Sequence, residues 1–151
     1  VAKECIKIMM DMGLKVLTTR DLKDTPELQP FVTTGQLVYR PFGPWNEWIK
    51  EVESSRAMFT PCVSDASPRS VSEALALNVP VLMNRHIMGG WKYVNEQTGV
   101  LFDDLTDIKA AIEKLRSPEF QAGLSPRQYM EAHYGRWRSA LRLYAFLDLT
   151  V

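Results

Sequence analysis

Residues 57–83 read AMFTPCVSDASPRSVSEALALNVPVLM, with a helical pattern between two short apolar runs. The flanking runs, 57–60 and 79–83, are almost continuously apolar, which is typical of strands buried on both faces. Between them Val71, Ala74 and Leu75 recur at the spacing of one helix face. A strand, a helix and a second strand joined by short connections predict two parallel neighbours in one sheet.

The same alternation continues on both sides of this stretch. Further apolar runs predict strands over 15–19, 37–39 and 100–102. Apolar residues at helical spacing predict helices over 2–12, 45–52, 108–115 and 130–144. The last of these is the longest, and residues 20–35 read as loop with room for one helical turn. We therefore predict an α/β fold with a doubly wound parallel sheet and a long C-terminal helix.

Composition limits the classes of function. The chain has 151 residues, 46% of them hydrophobic, which is enough for one sizeable core. Eighteen basic and eighteen acidic residues give a formal net charge of +0, so no basic excess indicates a nucleic-acid partner. The apolar runs are too short for a transmembrane segment. Two cysteines and two histidines show no zinc-like spacing, and we expect a reduced, cytoplasmic protein.

The order of the elements suggests a missing strand. The pattern starts with a helix directly after Val1, whereas a right-handed crossover requires a strand before it. In open sheets of this type the first strand is usually central. We therefore expect the chain to be a piece of a longer protein, with an upstream strand between those at 15–19 and 57–60.

Two loops are candidates for ligand binding. Ligands of open α/β sheets bind outside the carboxyl ends of the strands, where residues 64–73 and 85–92 are expected. The first loop leads into a helix, whose amino terminus presents free N–H groups and a positive dipole end to an anion. Asp65 and Glu73 in that loop are separated by seven residues, so both carboxylates can line one cleft.

The carboxylate pair begins an ordered series of further motifs. These are Glu73-Ala74, Val79-Pro80-Val81, Gly89-Gly90, Thr98-Gly99 and Asp103-Asp104. The series resembles the donor-binding motif of retaining GT-B glycosyltransferases of the family-4 type (glycosyl transferases group 1). The resemblance implies that residues 1–151 are the C-terminal, nucleotide-sugar-binding lobe of a GT-B fold, which is Rossmann-like. It also implies that the N-terminal acceptor lobe, like the first strand, lies outside this chain.

The resemblance implies an enzyme of the hexosyltransferase type. Such an enzyme transfers a sugar from a nucleoside diphosphate sugar to an acceptor, here expected to be a glycan held by the missing lobe. No cofactor and no metal are implied, because a helix dipole and basic side chains stabilise the leaving diphosphate. The partners expected for this chain are therefore the nucleotide sugar and the acceptor, without nucleic acid or a membrane-spanning segment.

The resemblance also assigns roles to individual residues. Asp65 is the catalytic candidate, because the first acid of the family motif contacts the transferred sugar. Glu73 corresponds to the acid that binds the ribose of the nucleotide. The remaining donor-binding candidates supply loop amides, basic side chains or close approach at a glycine. They are Ser67, Ser70 and Val71 for the amides, Arg69 and Arg85 for the basic side chains, and the pair Gly89 and Gly90.

Several departures from the family pattern keep alternatives open. Asp65 replaces the usual glutamate, and Ala66 and Pro68 replace glycines of the loop. The basic pair that grips the diphosphate in the family has no counterpart in this sequence. Residues 70–73 also fit a helix capping box. One alternative is therefore a non-catalytic interaction module with a degenerate cleft, and another is a GT-B-shaped epimerase, for which His86 is the sole acid–base candidate.

Overall fold

The computed structural model describes residues 2–22 and 24–147, in which helices alternate with five short strands. The strands are β1 (Val16–Thr18), β2 (Leu37–Tyr39), β3 (Met58–Thr60), β4 (Val81–Asn84) and β5 (Gly99–Phe102). Each lies within two residues of a predicted apolar run. The prediction of strands from continuous apolar runs is therefore confirmed.

Eight α-helices accompany the strands in the described ranges. They are α1 (Ala2–Asp11), α2 (Gln29–Thr33), α3 (Trp45–Glu53), α4 (Arg69–Ala76), α5 (Ile108–Arg116), α6 (Pro118–Gly123), α7 (Pro126–His133) and α8 (Arg136–Phe146). Gly13, at φ +77°, follows the end of α1 as predicted, and Asn78, at φ +66°, follows α4. Short α2 and a 3₁₀ turn at Pro26–Leu28 occupy the stretch predicted to be mostly loop.

The strands form two small parallel sheets, β1-β2 and β3-β4-β5. Val16 pairs with Leu37 in the first sheet, whereas Met58 pairs with Val81 and Val81 with Gly99 in the second. The α/β class and the parallel direction of the strands are confirmed. Within the described residues the strands do not form a single continuous sheet, because there β1 pairs only with β2 and β3 pairs only with β4.

Helices cover both faces of the three-stranded sheet. Because successive side chains of a strand point to opposite faces, Leu82 packs with α1 and α5, whereas Val81 and Met83 pack with α4. We call these the α1 side and the α4 side. Val16 and Leu37 of the first sheet also pack into the α1-side core, so α1 contacts apolar residues of both sheets.

The predicted long C-terminal helix over 130–144 is wrong. The structure divides it into α7 and α8, with Tyr134 in an extended conformation and Gly135 at φ +95°. A positive φ favours glycine, which lacks the Cβ that strains this conformation in other residues. Trp137 and Tyr144 of α8 are 75% and 45% exposed, so neither side chain packs in the core of the described residues.

The two cysteines differ in their environment, and this gives a first prediction. Cys5 is buried in α1, and its burial raises the pKa of the thiol to about 11, whereas Cys62 is exposed. At about pH 8 a thiol-alkylating reagent is therefore expected to modify Cys62 and to leave Cys5 protonated and unreacted. Mass spectrometry of the native and the urea-denatured chain checks this. Equal labelling of both thiols in the native chain would contradict the packing of α1.

Candidate functional site

The candidate site lies at the carboxyl ends of β3 and β4. Residues 61–68, the β3–α4 loop, follow Thr60 and lead into α4. Residues 85–90, the β4 loop, follow Asn84. Because β3 and β4 are parallel neighbours, both loops leave the same edge of the sheet, as the sequence predicted for these segments.

Backbone hydrogen bonds join the two loops. The N–H of Met88 donates to the carbonyl of Val63 at 3.1 Å, and the N–H of Gly89 donates to the carbonyl of Asp65 at 3.0 Å. These bonds bring Asp65 beside the Gly89-Gly90 pair, although the two are 24 residues apart in the sequence. The structure therefore assembles the first acid and the glycine pair in one place.

The glycine pair is required by this contact between loops. A Cβ on Gly89 would overlap the backbone carbonyl of Ala66. A Cβ on Gly90, at φ +79°, would lie 2.5 Å from Cγ of Pro68. From the sequence, these glycines were expected to allow the close approach of a ligand. In the structure they allow the close approach of the neighbouring loop.

Asp65 holds its own loop in shape. Its Oδ1 accepts a hydrogen bond of 2.8 Å from the N–H of Ser67, which is the pattern of an Asx turn. The side chain is exposed, and Oδ2 accepts no hydrogen bond from any residue in 2–22 or 24–147. One carboxylate oxygen therefore faces solvent, while the N–H of Ser67, a predicted donor to phosphate, is already bonded.

The amino terminus of α4 has no side-chain cap. Pro68 occupies the cap position, and the N–H of Val71 already donates to the Pro68 carbonyl at 3.1 Å. The N–H groups of Arg69 and Ser70 have no acceptor in the described part of the chain. The capping-box alternative is wrong, because Ser70 lies inside the helix and its side chain caps nothing.

Glu73 bonds to a neighbouring helix. Nε1 of Trp48, on α3, donates to Oε2 of the half-buried Glu73 at 3.4 Å. The pattern that predicts a helix over 45–52 gives no sign of this contact, because no local pattern connects two residues that are 25 positions apart. This contact fixes one carboxylate oxygen and orients the side chain one turn into α4.

The two basic candidates differ in their partners. Nε of Arg85 lies 3.1 Å from Oδ1 of Asp103, and Nε2 of His86 lies 3.4 Å from the same oxygen. Arg69, next to the uncapped N–H groups, is exposed and forms no ion pair with the described residues. Of the two arginines, Arg69 is therefore the one whose guanidinium is not paired with a described carboxylate.

A buried, unpaired hydroxyl lies at the end of β3, directly before the β3–α4 loop. Thr60 ends β3 with 8% of its surface exposed, and its Oγ1 has no hydrogen-bond partner among the described residues. An unsatisfied buried hydroxyl costs on the order of 1–3 kcal/mol. Such groups are uncommon in folded proteins. No motif in the sequence marks Thr60, because the burial of its hydroxyl depends on packing.

The end of β5 carries acidic side chains, in contrast to the cation Arg69 at the start of α4. An open depression of about 390 Å³ there is lined by Val63, Asn84, His86, Asp103, Asp104, Leu105 and Thr106. The hydroxyl of Thr106 donates to Asp104 at 2.6 Å and lowers the pKa of that carboxyl below its ordinary value. Asp104 is therefore an anion at neutral pH, and a phosphate group is favoured at α4 over this depression.

Comparisons with known proteins assign no family. Neither the family models nor the curated proteins contain a match to this chain. Within residues 2–22 and 24–147, no three His, Cys, Asp or Glu side chains converge as metal ligands. Over the same residues, none of the helices has the length and apolar content needed to cross a bilayer.

Proposed function

We propose that this chain is the donor-binding, Rossmann-like lobe of a GT-B glycosyltransferase, and that it binds a nucleoside diphosphate sugar at the amino terminus of α4. The observation that carries the proposal is the uncapped first turn of α4, with the unpaired Arg69 in it, Asp65 in the loop before it and Glu73 one turn further along the helix. A helix amino terminus attracts anions through its free N–H groups and its dipole. Asp65 and Glu73 lie before and within the same helix, where they can bond the sugar hydroxyls of such a ligand.

Each part of the donor is bound by a different one of these groups. The diphosphate accepts hydrogen bonds from the N–H groups of Arg69 and Ser70 and an ion pair from the Arg69 guanidinium. The ribose hydroxyls donate to Glu73, whose Oε2 is held by Trp48. The sugar to be transferred lies beside the free oxygen of Asp65. Charge that develops on the departing diphosphate is then stabilised by donors fixed in place before the reaction.

Calorimetry on the purified chain tests the proposal. Nucleoside diphosphates and their hexose conjugates are titrated one base at a time, with the matching nucleosides as controls. We expect at least one diphosphate series to bind, and the nucleoside of that series to bind much more weakly. Absence of heat with every common nucleoside diphosphate and sugar conjugate, confirmed by unchanged melting temperatures, would overturn donor binding.

The two arginines give a second prediction. Arg69→Gln is expected to weaken nucleoside diphosphate binding by about 10- to 150-fold, because a hydrogen bond to a charged group contributes about 1.5–3 kcal/mol. Nucleoside binding is expected to stay unchanged. Arg85→Gln is the matched control, because Arg85 already pairs with Asp103. This variant is expected to leave both affinities unchanged. Equal losses for nucleoside and diphosphate in Arg69→Gln would contradict the phosphate role.

A non-catalytic module is the second candidate function. The observation in its favour is that the loop amides are largely used: Ser67 donates to Asp65, Val71 donates to the Pro68 carbonyl, and Pro68 has no N–H. Such a cleft offers fewer donors than a glycine-rich loop. The same calorimetric series distinguishes the two, because a module that only recruits a protein partner binds none of the nucleotides.

A further inference from the structure

The outer edge of β5 is unpaired in the described part of the chain. On its inner side β5 bonds to β4, where the N–H of Val81 donates to the Thr98 carbonyl at 3.0 Å and the N–H of Arg85 donates to the Phe102 carbonyl at 2.8 Å. Because residues of a parallel strand bond alternately to its two sides, the N–H and carbonyl of Leu101 point away from β4. Among residues 2–22 and 24–147, none bonds to either group.

The backbone N–H groups on both sides of Leu101 are already used. The N–H of Gly99 donates to the Asn95 carbonyl at 2.9 Å. The N–H of Asp103 donates to the two carboxylate oxygens of Asp107, at 3.0 and 2.9 Å. Leu101 is therefore the residue at which this edge still offers an N–H donor together with a carbonyl acceptor, and a strand that pairs here is anchored at Leu101.

An open depression of about 380 Å³ lies along this edge. Its lining includes Val94, Val100 and Leu101, and α5 contributes the exposed Ala110 and the buried Ala111. The two alanines are short, so α5 leaves room for another backbone to approach β5. Proteins usually cover or blunt a free strand edge, because its unpaired backbone groups are ready to bind a further strand.

Charged side chains lie at both ends of the depression. At the amino end of β5, Nζ of Lys114 lies 3.4 Å from Oε1 of Glu96. Arg85 and Asp107, which also line the depression, lie at the carboxyl end, after β4 and β5 respectively. Each end of the depression therefore carries one cation and one anion.

We propose that a second copy of this chain binds this edge, with the two β5 strands antiparallel about a twofold axis at Leu101. Two residues that lie directly opposite each other in an antiparallel pair can exchange both of their N–H···O bonds. On the axis Leu101 meets its counterpart in the second copy, so this one residue supplies both donors and both acceptors. The interface is then isologous, and it joins two three-stranded sheets into one sheet of six strands.

The order of the charges favours a second copy over an unrelated extended peptide. Antiparallel pairing sets the amino end of one β5 against the carboxyl end of the other. Lys114 of each copy then faces Asp107 of the other, and Glu96 faces Arg85. Exposed ion pairs contribute little affinity, so these charges determine the direction of pairing. An unrelated peptide would gain the same two backbone bonds without this match. The inference rests on the edge of β5 and is independent of the proposed function.

Analytical ultracentrifugation of residues 1–151 at increasing concentration tests the pairing, and we expect a monomer–dimer equilibrium. Leu101→Pro removes the outward N–H, at an edge position where proline is tolerated. It is expected to weaken dimerisation on the order of tenfold or more, because both bonds on the axis are lost. Ala110→Trp fills the depression from an exposed position of α5 and is expected to prevent dimerisation without disturbing the core.

Two matched controls are expected to dimerise like the parent chain. Lys109→Trp adds the same side chain at an exposed position of α5 that does not line the depression. Leu17→Pro removes an outward N–H from β1, in which Val16 and Thr18 bond toward β2. The amide exchange rate of Leu101, measured by NMR, is expected to fall on the order of tenfold between dilute and concentrated solution.

The other outcomes would overturn the proposal. A chain that stays monomeric at every concentration would do so, and so would a Leu101 amide whose exchange rate does not depend on concentration. A dimer that survives Ala110→Trp would place the interface elsewhere, and this variant decides alone if Leu101→Pro does not fold. A dimer that Leu17→Pro separates instead would assign the interface to the edge of β1.

Discussion

Glu73→Ala is expected to weaken binding of the nucleoside diphosphate sugar by about 10- to 150-fold while leaving the chain folded. Loss of a hydrogen bond between a charged carboxylate and a ribose hydroxyl corresponds to about 1.5–3 kcal/mol. The expected loss of folding stability is about 1 kcal/mol, because Glu73 is half-buried and makes one long hydrogen bond with Trp48. Calorimetry measures the affinity and urea denaturation measures the free energy of unfolding.

Two further variants separate the ligand role from the helix contact. Glu113→Ala removes an exposed glutamate from α5 and is expected to change neither quantity. Trp48→Phe removes the Nε1 donor but keeps an aromatic side chain, and is expected to weaken binding less than Glu73→Ala does. If Glu73→Ala lowers stability but binds the donor normally, Glu73 serves only to hold α3 against α4, and the ribose assignment is wrong.

The strands were predictable because their signal is local. Continuous apolar runs such as 37–39, bounded by glycine and proline, carry enough information to locate a strand within two residues. The C-terminal helix shows the limit of periodicity. The apolar spacing over 130–144 continues through Gly135, and only the backbone conformation at that residue reveals the break between α7 and α8.

The candidate site was predictable in its location but not in its internal contacts. The β–α–β alternation places the β3–α4 loop and the β4 loop at one edge, which is a consequence of topology alone. Three features of the site depend on packing. They are the hydrogen bond between Trp48 and Glu73, the approach of Ala66 to Gly89, and the unpaired hydroxyl of Thr60. Such contacts depend on how far one element slides over another, and no spacing in the sequence encodes that distance.

The contact between the two loops gives the second large expected effect. Gly89→Ala is expected to lower the free energy of unfolding by about 2–4 kcal/mol, combining about 1–3 kcal/mol of steric strain with about 1 kcal/mol from lost hydrogen bonds between the loops. The strain arises because the new Cβ overlaps the Ala66 carbonyl, which is backbone and cannot rotate away. Donor binding is expected to fall as well, since the β3–α4 loop carrying Asp65 must move.

Gly123→Ala is the matched control for this substitution. A Cβ on Gly123, at the end of α6, has no heavy atom within 4 Å and meets no left-handed backbone strain. Because alanine restricts the unfolded chain more than glycine does, this variant is expected to be as stable as the parent or more stable by about 0.4–1 kcal/mol. Urea denaturation of both variants, with calorimetry on the folded fraction, provides the comparison. An unchanged unfolding midpoint in Gly89→Ala would mean that the two loops are apart in solution, and the site assembled at the carboxyl ends of β3 and β4 would lose its second loop.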